Sequence, residues 1–261
     1  LRDNTGLTHE EAVRDSVVTI LMSPDFLYRM DLADEFAASA ASGPAGVEGL
    51  PLSPYALASR LSYFLWSSMP DDELLARAAD GTLVKAEVLI AQARRMLADE
   101  RVRGLAAEFA GNWLDYRRFE QFNSVDRERF PAFDDALRRA MFEEPLRLIE
   151  DAVRHDRSVL DLIYGRHTFV NPALARHYGM AEQARGDETA WVRVDDAARF
   201  GRGGLLPMAV FLTQNSPGLR TSPVKRGYWL VRRILGEEIP PPPPQVPELP
   251  EDETKTDLPL T

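Results

Sequence analysis

Apolar residues recur at helical spacing along most of the chain. In THEEAVRDSVVTILMSPDFLYRM, Val13, Val17, Ile20 and Leu21 mark one stripe of an amphipathic helix. Thr8 and Glu11 have the spacing of a capping box at its start, and Pro24 predicts its end or a kink. Residues 34–53 lose all periodicity and are rich in Gly, Pro and small side chains, the composition of a linker. Beyond them, Ser53 and Pro54 predict a helix cap and first turn ahead of the stripe Leu57, Leu61, Phe64 and Leu65. A short helix follows in MPDDELLARAADG, opened by Pro70 and closed by Gly81, its three acids complementing the helix dipole rather than binding metal.

Helical patterns continue through Leu89, Ala93, Met96 and Leu97. A longer helix is predicted through Val102, Leu105, Phe109, Trp113 and Tyr116. Phe142, Leu146, Ile149 and Val153 mark the next, with Pro145 inside it predicting a kink. Ser158 and Asn171 begin two shorter elements, and only AWVRVDD alternates as a strand does. A final helix runs through TSPVKRGYWLVRRILG, before a proline run with polyproline-II character and an acidic tail. These patterns predict a mainly α protein: an irregular multi-helix domain with at most a short β element and a proline-rich C-terminal arm. The expected divisions are an N-terminal helix over 1–33, a linker over 34–53, a helical domain over 54–185, a second helical subdomain over 186–239 and a tail over 240–261.

Several of these runs, taken in order over about residues 54–250, resemble a known group of sequences. They are LASRLSYFLWSSMPDDELLARAADGTL, FAGNWLDYRRF, RSVLDLI, FVNPALARHYG, GGLLPMAVFLTQNS and RTSPVKRGYWLVRRILGEEIPPPPPQVPELPE. The group is the helical domains of uncharacterised planctomycete-type multidomain proteins that carry cytochrome c modules elsewhere in the chain. The opening helix resembles the tail of a small preceding domain. The resemblance implies an exported protein, periplasmic or extracellular, with c-type haem in flanking modules outside these residues. It implies that the chain is a piece of such a parent, with those modules as its partners, and it supplies no catalytic residue.

Composition narrows the chemistry further. With 261 residues and 44% hydrophobic content the chain can bury a sizeable core without metal or disulfide staples. Cysteine is absent, so thiolate ligands, cysteine nucleophiles and covalent haem attachment are excluded within these residues, and no cofactor is expected in the chain itself. A formal charge of −10 disfavours nucleic acid, and no apolar run has the length of a membrane span. The four histidines lack helical metal spacing, so no metal site is expected. No nucleophile elbow, phosphate loop or dinucleotide fingerprint occurs. Neighbouring acids such as Glu143 and Glu144 point to different helix faces and are expected as solvated charge.

One cluster stands against the acidic balance. Arg220, Lys225 and Arg226 surround a helix start at Thr221, Ser222 and Pro223, where positive charge opposes the dipole at roughly 0.3–1 kcal/mol each. Such a cluster would suit a bound anion. The chain's own acids, Glu248, Glu251, Asp252 and Glu253 among them, would equally supply the countercharge, and an intramolecular clamp is the favoured expectation. Trp66 and Trp229 are candidate stacking residues, Trp229 half exposed beneath arginine. The main functional expectation is a non-haem helical scaffold of a cytochrome c-linked protein, within an oxidoreductase. Its rivals are an extracellular polysaccharide-binding module and a hydrolase with an unrecognised site.

Overall fold

A computed structural model describes residues 6–28, 52–121 and 125–240. The linker expected over 34–53 lies outside them except for Leu52 and Ser53, as does the tail beyond Pro240. The described chain is mainly helical, with one two-stranded sheet. It forms two compact units. The first combines the residues up to Phe109 with Glu150–Arg157, and the second combines Ala110–Ile149 with the residues from Ser158 onward. This division falls inside the 54–185 segment.

The first unit opens with α1, His9–Met22, and α2, Pro24–Leu27. Thr8 and Glu11 form the expected reciprocal capping box, and Ser23 separates the helices ahead of Pro24. The apolar stripe of α1 stays largely exposed, Ile20 at 61%. Helices α3, Pro54–Trp66, α4, Asp72–Ala79, and α5, Ala86–Ala98, enclose a core of Ala58, Leu65, Trp66, Leu74, Leu83 and Met96. Ser53 caps α3 as its sequence predicts. Pro70 instead lies outside α4, because Asp71 takes the cap position and accepts from the Leu74 N–H at 3.0 Å. Asp71 also receives two bonds from Arg95, at 2.7 and 3.0 Å, which hold its carboxyl below the usual carboxylate range.

The helix expected across 102–116 is not a regular one. A 3₁₀ turn spans Glu100–Val102, π-helical turns span Leu105–Ala110, and α-helical residues are confined to Arg103 and Gly104 and to Gly111–Trp113, α6. The wider turn shifts the buried face from Phe109 and Trp113 to Ala106, Ala110 and Leu114. Gly104 stands at the entry to the π turns. A Cβ there would lie 2.2 Å from the Trp66 carbonyl oxygen, so only glycine lets the backbone pass the end of α3.

In the second unit α7, Asp135–Arg154, supplies the long wall, with its final turn counted in the first. Pro145 does not interrupt it. The missing N–H is tolerated because Pro145 and its neighbours Met141, Leu146 and Leu148 are all buried, and their packing outweighs one lost helical bond. After α8, Asp161–Tyr164, the strand β1, Thr168–Val170, pairs antiparallel with β2, Val192–Val194, Phe169 opposite Arg193. The sequence pattern anticipates β2 and misses β1. Helix α9, Pro172–His177, is capped by Asn171, as expected. Helices α10, Ala209–Gln214, and α11, Pro223–Arg233, complete the unit. Gly203 carries φ 112°, and a Cβ on it would come within 2.7 Å of the Gly165 carbonyl oxygen. The pair Gly203–Gly204 thus seats its loop against the end of α8, where the Leu205 N–H donates to the Leu162 carbonyl at 2.7 Å.

Replacing Gly104 by Ala is expected to lower unfolding free energy by about 2 kcal/mol, because the new methyl meets backbone rather than a movable side chain. Gly227, inside α11 with nothing within 4 Å of an added Cβ, supplies the contrast. Gly227→Ala should stabilise by up to about 1 kcal/mol. Urea titrations of the two variants beside the parent chain measure both.

Candidate functional site: a cation-lined cavity beside a buried carboxyl

Ser222 caps α11 through its hydroxyl, which accepts from the Lys225 N–H at 3.3 Å, and Pro223 follows as the first helical residue. The local sequence therefore aims the helix start as predicted. Arg226 turns inward from the first turn. Its Nη2 donates to the Leu212 carbonyl at 3.1 Å and to the Ser216 hydroxyl at 3.4 Å, tying α11 to the end of α10. Among the described residues neither Lys225 nor Arg226 has a carboxylate partner, and the buried Nε of Arg226 has no acceptor. The tail acids Glu248, Glu251, Asp252 and Glu253 lie outside the described residues.

Arg220, Thr221 and Arg226 all border one cavity of about 500 Å³. Lys225 is exposed and does not reach it, and Ser222 acts on the helix rather than the cavity. The floor is apolar, formed by Phe133, Leu137 and Met141 from the α7 side and Leu212 from α10. Arg129 and His177, which the sequence reading did not single out, also line it. Partial burial and the nearby charge of Arg202 hold His177 below its ordinary pKa, so near neutrality it is an uncharged hydrogen-bonding group.

Behind this cavity lies a second polar cluster. Glu144 is 1% exposed, one turn along α7 from Met141. The Thr168 hydroxyl of β1 donates to one carboxyl oxygen and the Tyr178 hydroxyl, at the end of α9, donates to the other, each at 2.5 Å. Tyr178 in turn accepts from the Ala209 N–H at 2.8 Å, at the start of α10. The Arg202 guanidinium covers the Tyr178 ring at 4.0 Å from its centroid. Burial pushes Glu144 up to about 7, against the opposing pull of its two hydroxyl donors and Arg202. Burial likewise raises Tyr178 well above the ordinary phenol value.

Glu144 corrects the expectation of solvated charge. Its signal was present in the sequence: it falls on the stripe Leu137, Ala140, Met141, Glu144 and Leu148, an acid at a core position of a helix. The two tryptophans also differ from expectation. Trp66 is 3% exposed, donates to the Met96 carbonyl at 2.9 Å, and lies under Arg101, whose guanidinium carbon is 3.5 Å from the ring centroid. Trp229 is 7% exposed, donates to the Leu114 carbonyl at 2.8 Å, and packs 4.7 Å from the Phe211 ring. Both indoles are anchors of their own units rather than open platforms, because a buried Trp satisfies its N–H internally. Among the described residues no group of three or more His, Asp or Glu is placed to hold a metal, and no helix is long and apolar enough to cross a membrane.

The Glu144 shift has a defined sign. A carboxyl whose folded value is raised from 4.5 to about 7 binds more protons when folded than when unfolded. Its contribution is fully present below the unfolded value and is lost as pH rises through about 7. The loss amounts to about 3 kcal/mol. Glu144→Gln should remove that share of the pH dependence, so variant and parent stabilities, compared by urea unfolding at about pH 5 and about pH 8, should diverge in the variant's favour at the higher pH.

Compared with known families, residues 52–180 match PSD4, a protein family of unknown function (DUF1592), and residues 202–261 match PSCyt3, a second family of unknown function (DUF1588). No curated protein and no solved structure matches the chain. The two matched regions follow one another in sequence and account for most of it. At family level, this chain is similar to proteins of unknown function whose names refer to planctomycete cytochrome c domains.

Proposed function

We propose that this chain is the non-haem helical scaffold of an exported, cytochrome c-linked protein, holding haem modules that lie in other parts of its parent. The observation that carries the reading is the succession of a PSD4 and a PSCyt3 region on one mainly helical chain. The absence of cysteine from all 261 residues supports a holder, since a thioether-linked haem would have to be attached elsewhere. Two internal features suit that role. Each unit has its own core, anchored by a buried tryptophan whose N–H is satisfied internally. The exposed stripe of α1 is an apolar face of the kind that packs against a neighbouring module.

An antibody to the chain can recover its natural form from the cells that make it. The recovered species should retain haem stain after denaturation and show a c-type reduced-minus-oxidised difference spectrum. A recovered species that neither contains haem nor brings a haem protein with it contradicts the proposal.

A further inference from the structure

The cavity beside α11 combines two properties that rarely coincide on an acidic protein. Its floor is formed by Phe133, Leu137, Met141 and Leu212, and its volume of about 500 Å³ is within the range of small-molecule sites. Its mouth carries three guanidinium groups, from Arg129, Arg220 and Arg226, and among the described residues no aspartate or glutamate lines it, although the whole chain has a formal charge of −10.

Arg226 sharpens the point. The groups it touches, the Leu212 carbonyl and the Ser216 hydroxyl, are both neutral, and its Nε is buried without an acceptor. A half-buried guanidinium balanced only by dipoles gains more from an anion than an exposed one does, because less water competes for it. Arg129 is placed over the Phe130 ring, 5.8 Å from its centroid, with no carboxylate partner among the described residues. The start of α11 adjoins the cavity through Thr221, just before its cap, and Arg226 in its first turn. Hydroxyls of Thr213, Ser216 and Thr221 supply further hydrogen bonds without adding negative charge.

We propose that this cavity binds a small amphipathic carboxylate, its apolar body against Phe133, Leu137, Met141 and Leu212 and its carboxylate held by Arg226 with Arg129 and Arg220. A carboxylate suits the site better than a phosphate dianion. The planar guanidinium donates a bidentate pair of hydrogen bonds to either anion, but a monoanion is less strongly hydrated than a dianion and so loses less at the edge of an apolar pocket. The site is independent of the scaffold reading and holds whether or not the parent carries haem.

Calorimetric titration of the complete 261-residue chain with octanoate, octanol and octyltrimethylammonium tests the proposal. Octanoate should bind one molecule per chain and shift the methyl resonance of Met141, octanol should bind about tenfold more weakly or less, and the cation not at all. Arg226→Gln should abolish octanoate binding. Because Arg226 also joins α10 to α11, the exposed Arg129→Gln is the second variant, expected to weaken octanoate by about tenfold while leaving the melting temperature unchanged. Absence of octanoate binding, equal binding of octanol, or binding that leaves Met141 unmoved overturns the proposal. So does octanoate binding that emerges only after Glu248, Glu251, Asp252 and Glu253 are all replaced by their amides, because the chain's own acids would then be the occupant.

Discussion

The second unit is organised around a carboxyl group placed where a carboxylate is expensive. Removing an ionised carboxylate from water into a protein interior costs several kcal/mol unless hydrogen bonds and charge offset it. Glu144 recovers part of that through Thr168 and Tyr178, and part through the field of Arg202, yet burial remains the larger effect. A donor on β1, a donor at the end of α9 and, through Tyr178, an amide at the start of α10 all depend on one side chain of α7. Directional bonds of this kind fix angles that apolar packing alone leaves loose.

Three of those elements, α7, α9 and α10, also line the cavity. Leu137 and Met141 stand on α7 within two turns of Glu144, His177 precedes Tyr178, and Leu212 lies one turn beyond Ala209. The carboxyl cluster therefore positions the apolar floor, while Arg226 draws the basic start of α11 against the end of α10. The first unit uses a different device. There Trp66 is fixed from one edge by the Met96 carbonyl and from one face by Arg101, and Asp71 joins the cap of α4 to Arg95 on α5. Planar stacking and bidentate pairing do for that unit what the buried carboxyl does for the other.

Much of this was legible along the chain wherever the cause is local. Thr8, Ser53, Asn171 and Ser222 cap the helices they were expected to cap, because an N-cap needs only its own side chain and an amide two or three residues on. Features with distant causes were hidden. Strand β1 is three residues long and is a strand because β2 lies beside it. The π turns at Leu105–Ala110 follow a glycine whose reason is the carbonyl of Trp66. Pro145 argued for a kink, and the helix runs on through it with its neighbours buried. The basic residues at 220–226 were visible as a cluster, but which of them turn inward and the apolar floor beneath them came from α7 and α10. Glu144 could have been found as an acid on an apolar stripe, although its partners, 24 and 34 residues away, could not.

A mainly helical chain with a buried carboxyl behind a cation-lined cavity is the common picture behind these observations. Its central claim is the interior position of the Glu144 carboxyl, and that can be read directly. Selective ¹³C labelling of glutamate side chains, with Glu144→Gln to assign the resonance, gives the titration of this one group in the folded chain. The account predicts a carboxyl carbon that titrates at about 7. Titration in the ordinary glutamate range, around 4.3, would place the group in water and contradict it.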